Sequence, residues 1–188
     1  TYIKLYWIDM SRKYNFCVVI LFIMTTFLSA QSLADLDSKN GFRHFKLGTS
    51  PDVVKNKISD YSSTESVKNF IYTGDDIDSV SGVEITKIVL SYYKNKLMII
   101  TASFGNPHKG PEFTTSQYNL IVQGLVSTYG NKKYYIPQNT NVLSGKKWIG
   151  SKVELEIIML DTRKYGFVSG YLNIYDKNIM QDFTKNQF

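Results

Sequence analysis

The chain has 188 residues, 43% of them hydrophobic and 20% charged, with a net charge of +6 and a single cysteine. This balance excludes a disordered chain and a disulfide-stapled miniature, and it leaves length for one domain with a sizeable core. The positive excess is mild and almost wholly lysine, with arginine only at Arg12, Arg43 and Arg163, so it carries no concentrated footprint for nucleic acid.

Residues 1–9 precede Met10 and read as upstream sequence outside the fold. Ser11, Arg12, Lys13 and Tyr14 then form a short basic region. Phe16 to Leu28 run without a charge, and Ser29 to Ala34 are mostly small or polar. Basic start, apolar run and small-residue exit, in that order, predict a secretory signal peptide over residues 10–34. Ser32 and Ala34 place the cut before Asp35, with a cut after Ala30 as the second choice. The apolar run is short for a membrane span, which needs about 20 residues. The expected location is therefore the periplasm or the exterior, with membrane contact only through the leader before cleavage. Cys17 lies in the apolar run, so the body, residues 35–188, is expected to have no thiol chemistry, and an exported domain without disulfides suits a bacterial envelope.

In the body, Asn40-Gly41 is a turn signal and Phe42 to Leu47 predicts a short strand. Ser50-Pro51-Asp52 predicts a helix start, since Ser50 can cap, Pro51 suits the first position and Asp52 faces the positive end of the dipole. Val54, Ile58 and Tyr61 share a face, extending that helix to about Asp60. Lys68 to Tyr72 reads as a strand, and residues 74–82 as an acidic loop. Val83 to Tyr93 and Leu97 to Phe104 predict a hairpin turning at residues 94–96. Val83 and Ile85 occupy one parity and Ile88, Leu90 and Tyr92 the other, so a bulge is expected near Thr86 or Lys87.

Asn106 to Pro111 reads as a loop. Tyr118, Ile121, Val122, Leu125, Val126 and Tyr129 form an apolar stripe that predicts a helix over 115–129, closed by Gly130. Strands are expected at 146–149, 152–160 and 168–175, the second alternating Val153, Leu155, Ile157 and Met159 against Glu154 and Glu156. The tail from Lys177 is expected to be irregular or weakly helical. The order helix, strand, strand, strand recurs, giving possible half-repeats at 42–104 and 113–176. The fold class expected is α+β, an antiparallel sheet with helices on one face.

No residue pattern dictates a reaction. His44 and His108 are the only histidines and have no metal-ligand spacing. Asp75, Asp76 and Asp78 lack the intervals and closing glutamate of a calcium loop. The Ser-x-x-Lys matches at Ser91 and Ser144 fall on or before strands, where the lysine cannot reach the hydroxyl. No cofactor, metal or catalytic residue is expected. The remaining signal is aromatic: tyrosines at 72, 92, 93, 134, 135, 171 and 175, with Phe104 and Trp148, concentrate on strands or their ends. Tyr92, Trp148, Tyr171 and Tyr175 are the candidate binding residues, as rigid amphipathic contact area on an open sheet face.

The segment Phe45-Lys46-Leu47-Gly48-Thr49-Ser50, leading into a short helix and antiparallel strands, resembles small exported bacterial proteins of the β-lactamase-inhibitor-protein-like fold, shared by the SmpA/OmlA envelope lipoproteins. The resemblance implies binding, not catalysis. The expected function is an exported binding module that holds a protein or envelope component on its aromatic face. A hydrolase with a scattered acid–base site, or an inhibitor or immunity-type protein, is the alternative. Expression in a bacterial host should yield a product whose intact mass starts at Asp35, and a product retaining residues 10–34 would overturn the leader.

Overall fold

The structure is a computed structural model and describes residues 33–105, 111–139, 141–162 and 167–187. The expected leader, apart from its last two residues, and His108 lie outside them. Helix α1, residues 33–39, opens the described chain and spans the expected cut, with Leu33 packed against the core and Leu36 buried.

An antiparallel sheet of eight strands organises everything else. In chain order they are β3 (Ile58–Ser63), β4 (Val67–Tyr72), β7 (Lys87–Tyr93), β8 (Lys96–Phe104), β9 (Tyr134–Tyr135), β10 (Val142–Ile149), β11 (Val153–Thr162) and β12 (Phe167–Asp176). Their order across the sheet is β3-β4-β7-β8-β12-β11-β10-β9. Two small hairpins stand outside it, β1 (Gly41–Phe42) with β2 (Phe45–Lys46) and β5 (Ser79–Val80) with β6 (Val83–Glu84). The α+β class is thus as expected.

Because side chains alternate across a strand, each register row presents one face. The row Phe70, Leu90, Ile100, Ile174, Leu155 and Trp148 runs across six strands on the core face. The neighbouring row Ile71, Val89, Thr101, Asn173, Glu156, Lys147 and Tyr134 lies on the opposite face.

Helix α2 (Thr115–Tyr129) covers the core face with Tyr118, Ile121, Val122, Leu125 and Tyr129, the stripe read from the sequence. Thr114 and Gln117 form a capping box at its start, and Gly130, at φ 76°, ends it. Helix α3 (Lys177–Lys185) folds back over the opposite face, so helices flank both faces and not one. Asp176 caps it, Phe183 meets Tyr93 edge-on at 5.2 Å, and Lys94 pairs with Asp182 at 2.9 Å. No helix among the described residues is long and apolar enough to cross a membrane.

Three local expectations need correction. The helix after Ser50 is a 3₁₀ segment, Pro51–Lys57, broken at Val54 (φ −124°), and Ile58 and Tyr61 belong to β3. There the backbone takes ladder bonds to β4 in place of helical ones. The strand at 42–47 is instead the β1–β2 hairpin, tightened by positive φ at Asn40 (45°) and Arg43 (55°). The phase change near Thr86 is a full break between β6 and β7, with Thr86 N bonded to Ser103 O at 2.8 Å. Tandem repetition is not established, since the first half begins with this 3₁₀ turn and the second with a helix of 15 residues.

One side chain fastens the N-terminal segment to the sheet. The Asp37 carboxylate accepts from Ser151 N (2.7 Å), Ser151 Oγ (2.7 Å), Lys152 N (2.8 Å) and Val153 N (2.9 Å) at the β10–β11 turn. A Cβ on Gly150 would stand 2.4 Å from Asp37 Oδ1, so the approach requires glycine. Burial pushes the Asp37 carboxyl up, but the bonds from Ser151, Lys152 and Val153 outweigh it and hold its pKa below the ordinary 3.8. A depressed folded-state pKa gives stability that is present above the unfolded value and is lost as pH falls through the folded one. Asp37→Asn, which puts an amide donor against backbone donors, should cost about 2 kcal/mol in urea unfolding at neutral pH. The difference from wild type should shrink below pH ~4, and an equal difference at acid and neutral pH would refute the clamp.

Candidate functional site

Tyr171 and Tyr175 stand on the sheet face opposite the core, as their alternation against Leu172 and Ile174 requires. Tyr92 and Trp148 do not join them. Tyr92 is 2% exposed and Trp148 fully buried, both on the core face. Tyr92 packs edge-on to Phe70 at 5.6 Å, and burial pushes its phenol up to about 12. Trp148 sits opposite Leu155 and donates its indole N–H to Gly130 O at 3.0 Å. The four-residue aromatic face expected from the sequence is therefore divided between two sides of the sheet.

Tyr171 and Tyr175 stand beside Ile158 and Ile99, their partners in register, and next to a set of polar groups that pair with one another. Thr101 Oγ1 donates to Asn173 Oδ1 (2.8 Å), and Asn173 Nδ2 and the Tyr175 hydroxyl both donate to Glu156. Burial, then the neighbouring Glu156, raises the Tyr175 pKa. Lys147 pairs with Glu154 at 3.3 Å. A shallow depression lined by Glu154, Glu156, Tyr175, Lys177 and Met180 lies beside α3. Its carboxylates already have partners, and α3 occupies its flank.

A second cluster gathers at the 3₁₀ segment. Asp76 accepts from the Tyr72 hydroxyl (2.5 Å), pairs with Lys57 (3.2 Å) and lies 3.3 Å from His44 Nδ1. The Tyr72 hydroxyl draws the Asp76 carboxyl down to about 2, against burial, which pushes it up, and Lys57 adds to the downward pull. A histidine held by a carboxylate is the arrangement of a general base. The adjoining depression, lined by His44, Asp52, Val53, Val54, Lys55, Asn56, Lys57 and Asp76, offers no serine, threonine or cysteine to activate. The sequence separated His44 from Asp76 by 32 positions, and only the β1–β2 hairpin brings them together. No group of three His, Cys, Asp or Glu among the described residues could hold a metal ion.

A recess on the core face was not foreseen. The segment from α1 through β2 crosses the sheet as one wall and α2 is the other, with the β5–β6 turn at Val80 and Ser81 closing the side. Asp37 pins this wall at one end. At the other, Gly48 N and Thr49 O pair with Leu97 O and N, each at 2.8 Å. Between the walls is a cleft of about 440 Å³, within the roughly 300–1,000 Å³ of small-molecule sites. Leu125, Leu155, Leu172 and Ile174 supply its apolar lining, and Lys39, Arg43 and Lys46 its charged rim.

Those three cations are held by neutral groups. Lys46 Nζ donates to Lys39 O (2.7 Å) and Arg43 to Ser79 O (3.2 Å), while Lys39 Nζ lies 4.9 Å above the Tyr129 ring. Asp35 is near enough to raise the Tyr129 phenol, after burial, but it makes no ion pair with them. No family model, curated protein or solved structure matches the chain. In an NMR titration, Tyr72→Phe should return the Asp76 carboxyl toward the ordinary carboxylate range, because the lost hydroxyl is its strongest stabiliser. A carboxyl still titrating near about 2 would assign that role elsewhere.

Proposed function

We propose that the protein works outside the cytoplasm as a binding module, not as an enzyme, and that its ligand occupies the cleft between the N-terminal wall and α2. The observation that carries this is the pairing of an apolar floor, Leu125, Leu155, Leu172 and Ile174, with three rim cations that form no ion pair with a carboxylate among the described residues. Desolvated apolar walls supply affinity, and a few fixed polar groups supply orientation. The basic region, apolar run and small-residue exit of residues 10–34 support export, and the resemblance to exported envelope proteins supports binding over catalysis.

The geometry favours this seat over the second sheet face, where the polar groups around Tyr171 and Tyr175 bond one another. It also favours binding over hydrolysis, since Asp76 is shared among Tyr72, Lys57 and His44 and no hydroxyl or thiol side chain lines the adjoining depression. Nile red, an uncharged solvatochromic dye, tests the cleft independently of ligand charge. Its emission should rise saturably with one site per chain. Thr128→Trp, at an exposed position on the α2 wall, should weaken that site at least tenfold while leaving the melting temperature unchanged. Unsaturable dye binding, or binding that the tryptophan leaves intact, would remove the cleft as the ligand site.

A further inference from the structure

The chemistry of the cleft specifies more than the presence of a ligand. We infer that it takes a single-chain amphiphile with an anionic head group, the head at Lys39, Arg43 and Lys46 and the alkyl chain along Leu125, Leu155, Leu172 and Ile174. This inference rests on the cleft being the binding site.

Three features of the site carry it. The charge is one-sided, for the residues lining the cleft include three cations and no carboxylate. Each cation is engaged by a carbonyl or a ring face, so an incoming anion gains charge-assisted hydrogen bonds without first breaking an ion pair. The cations also sit on a constrained scaffold. Gly41 has φ 150° and no room for a Cβ, which would meet Phe45 O at 2.0 Å, and Phe45 is buried in the core. The hairpin that presents Arg43 and Lys46 is therefore fixed by its own packing, and rigid placement lowers the cost of ordering on binding.

The second feature is the lining. Leu155, Leu172 and Ile174 come from adjacent strands and Leu125 from the facing helix, so apolar groups border the recess on opposite sides. These four side chains are close-packed, none more than 7% exposed, so they give methylene groups a floor to lie on while the polar part of the lining is left to the head group. The third is size. A volume of about 440 Å³ lies in the lower half of the range for small-ligand sites and suits one alkyl chain.

Titration calorimetry with the purified protein, below the critical micelle concentration of each compound, tests the inference. The probes are dodecanoate, dodecyl phosphate and the uncharged glycerol monododecanoate. Either anion should bind with one site per chain and at least tenfold more tightly than the uncharged ester, and the stronger of the two identifies the head group. The anion preference should shrink as salt is raised, because the rim charges are exposed and screened over about 10 Å at 0.1 M salt. The triple variant Lys39→Gln, Arg43→Gln, Lys46→Gln should lose the preference while its melting curve stays close to wild type.

Equal affinity for the uncharged ester and the anions would overturn the anionic class and leave the cleft as a binding site. Binding of none of the three, alongside a Nile red site that Thr128→Trp abolishes, would overturn the amphiphile and keep the site. Loss of both signals would end the two readings together.

Discussion

The placement of the N-terminal segment depends on the Asp37 carboxylate. Helix α1 is short, and a helix of so few residues has little stability of its own. It is kept on the sheet by Leu36 in the core and by four hydrogen bonds into the turn between β10 and β11. Those bonds join positions more than a hundred residues apart, so the wall is held by a long-range contact and not by local structure. The cleft is thus a product of the complete fold. Gly150 and Ser151 matter for it although they lie outside its lining.

The two faces of the sheet divide the work. On the core face, the row from Phe70 to Trp148 is apolar, and every member but the partly buried Phe70 is buried. One position over, the row from Ile71 to Tyr134 places Thr101, Asn173, Glu156 and Lys147 in consecutive strands. Polar side chains in adjacent strands can satisfy one another laterally, and these do. A face that satisfies its own polar groups has less to gain from a partner than one that leaves charges unanswered.

How far the chain could be read without coordinates follows from the range of the interactions involved. Helix α2 and the long strands were legible because each carries its own periodicity, 3.6 in one and 2 in the other. Tyr92 was legible too, as it shares parity with Ile88 and Leu90, both in the core. Its assignment to an open face gave aromatic character more weight than phase. Trp148 was harder, because its side of the sheet is set by its pairing with Leu155 across the β10–β11 turn. The 3₁₀ segment shows local signals overruled: Ser50 and Pro51 start a turn as expected, but the edge of β4 takes Ile58 onward into the ladder. Helix α3 has no buried residue, and its anchors are long-range, Tyr93 to Phe183 and Lys94 to Asp182, the latter 88 positions apart. The cleft was invisible for the same reason. Lys39, Arg43 and Lys46 look like ordinary surface cations until α2 and three strands are set against them.

That contrast also separates structural charge from available charge. At the 3₁₀ segment, one carboxylate meets a phenol, an ammonium and an imidazole, and its low pKa records how fully it is stabilised. Adding a charged ligand there would mean competing with bonds already made. At the cleft the balance runs the other way. Carbonyl oxygens and a tyrosine ring hold three cations in place without cancelling their charge. Like charges gathered at one opening raise each other's energy, modestly in water and more beside an apolar wall. A fold can dispense with such an arrangement by a single lysine-to-glutamate change on this exposed rim. Under the proposed reading, an anion bound at the opening would relieve that repulsion, and the same three residues would then favour the occupied cleft over the empty one.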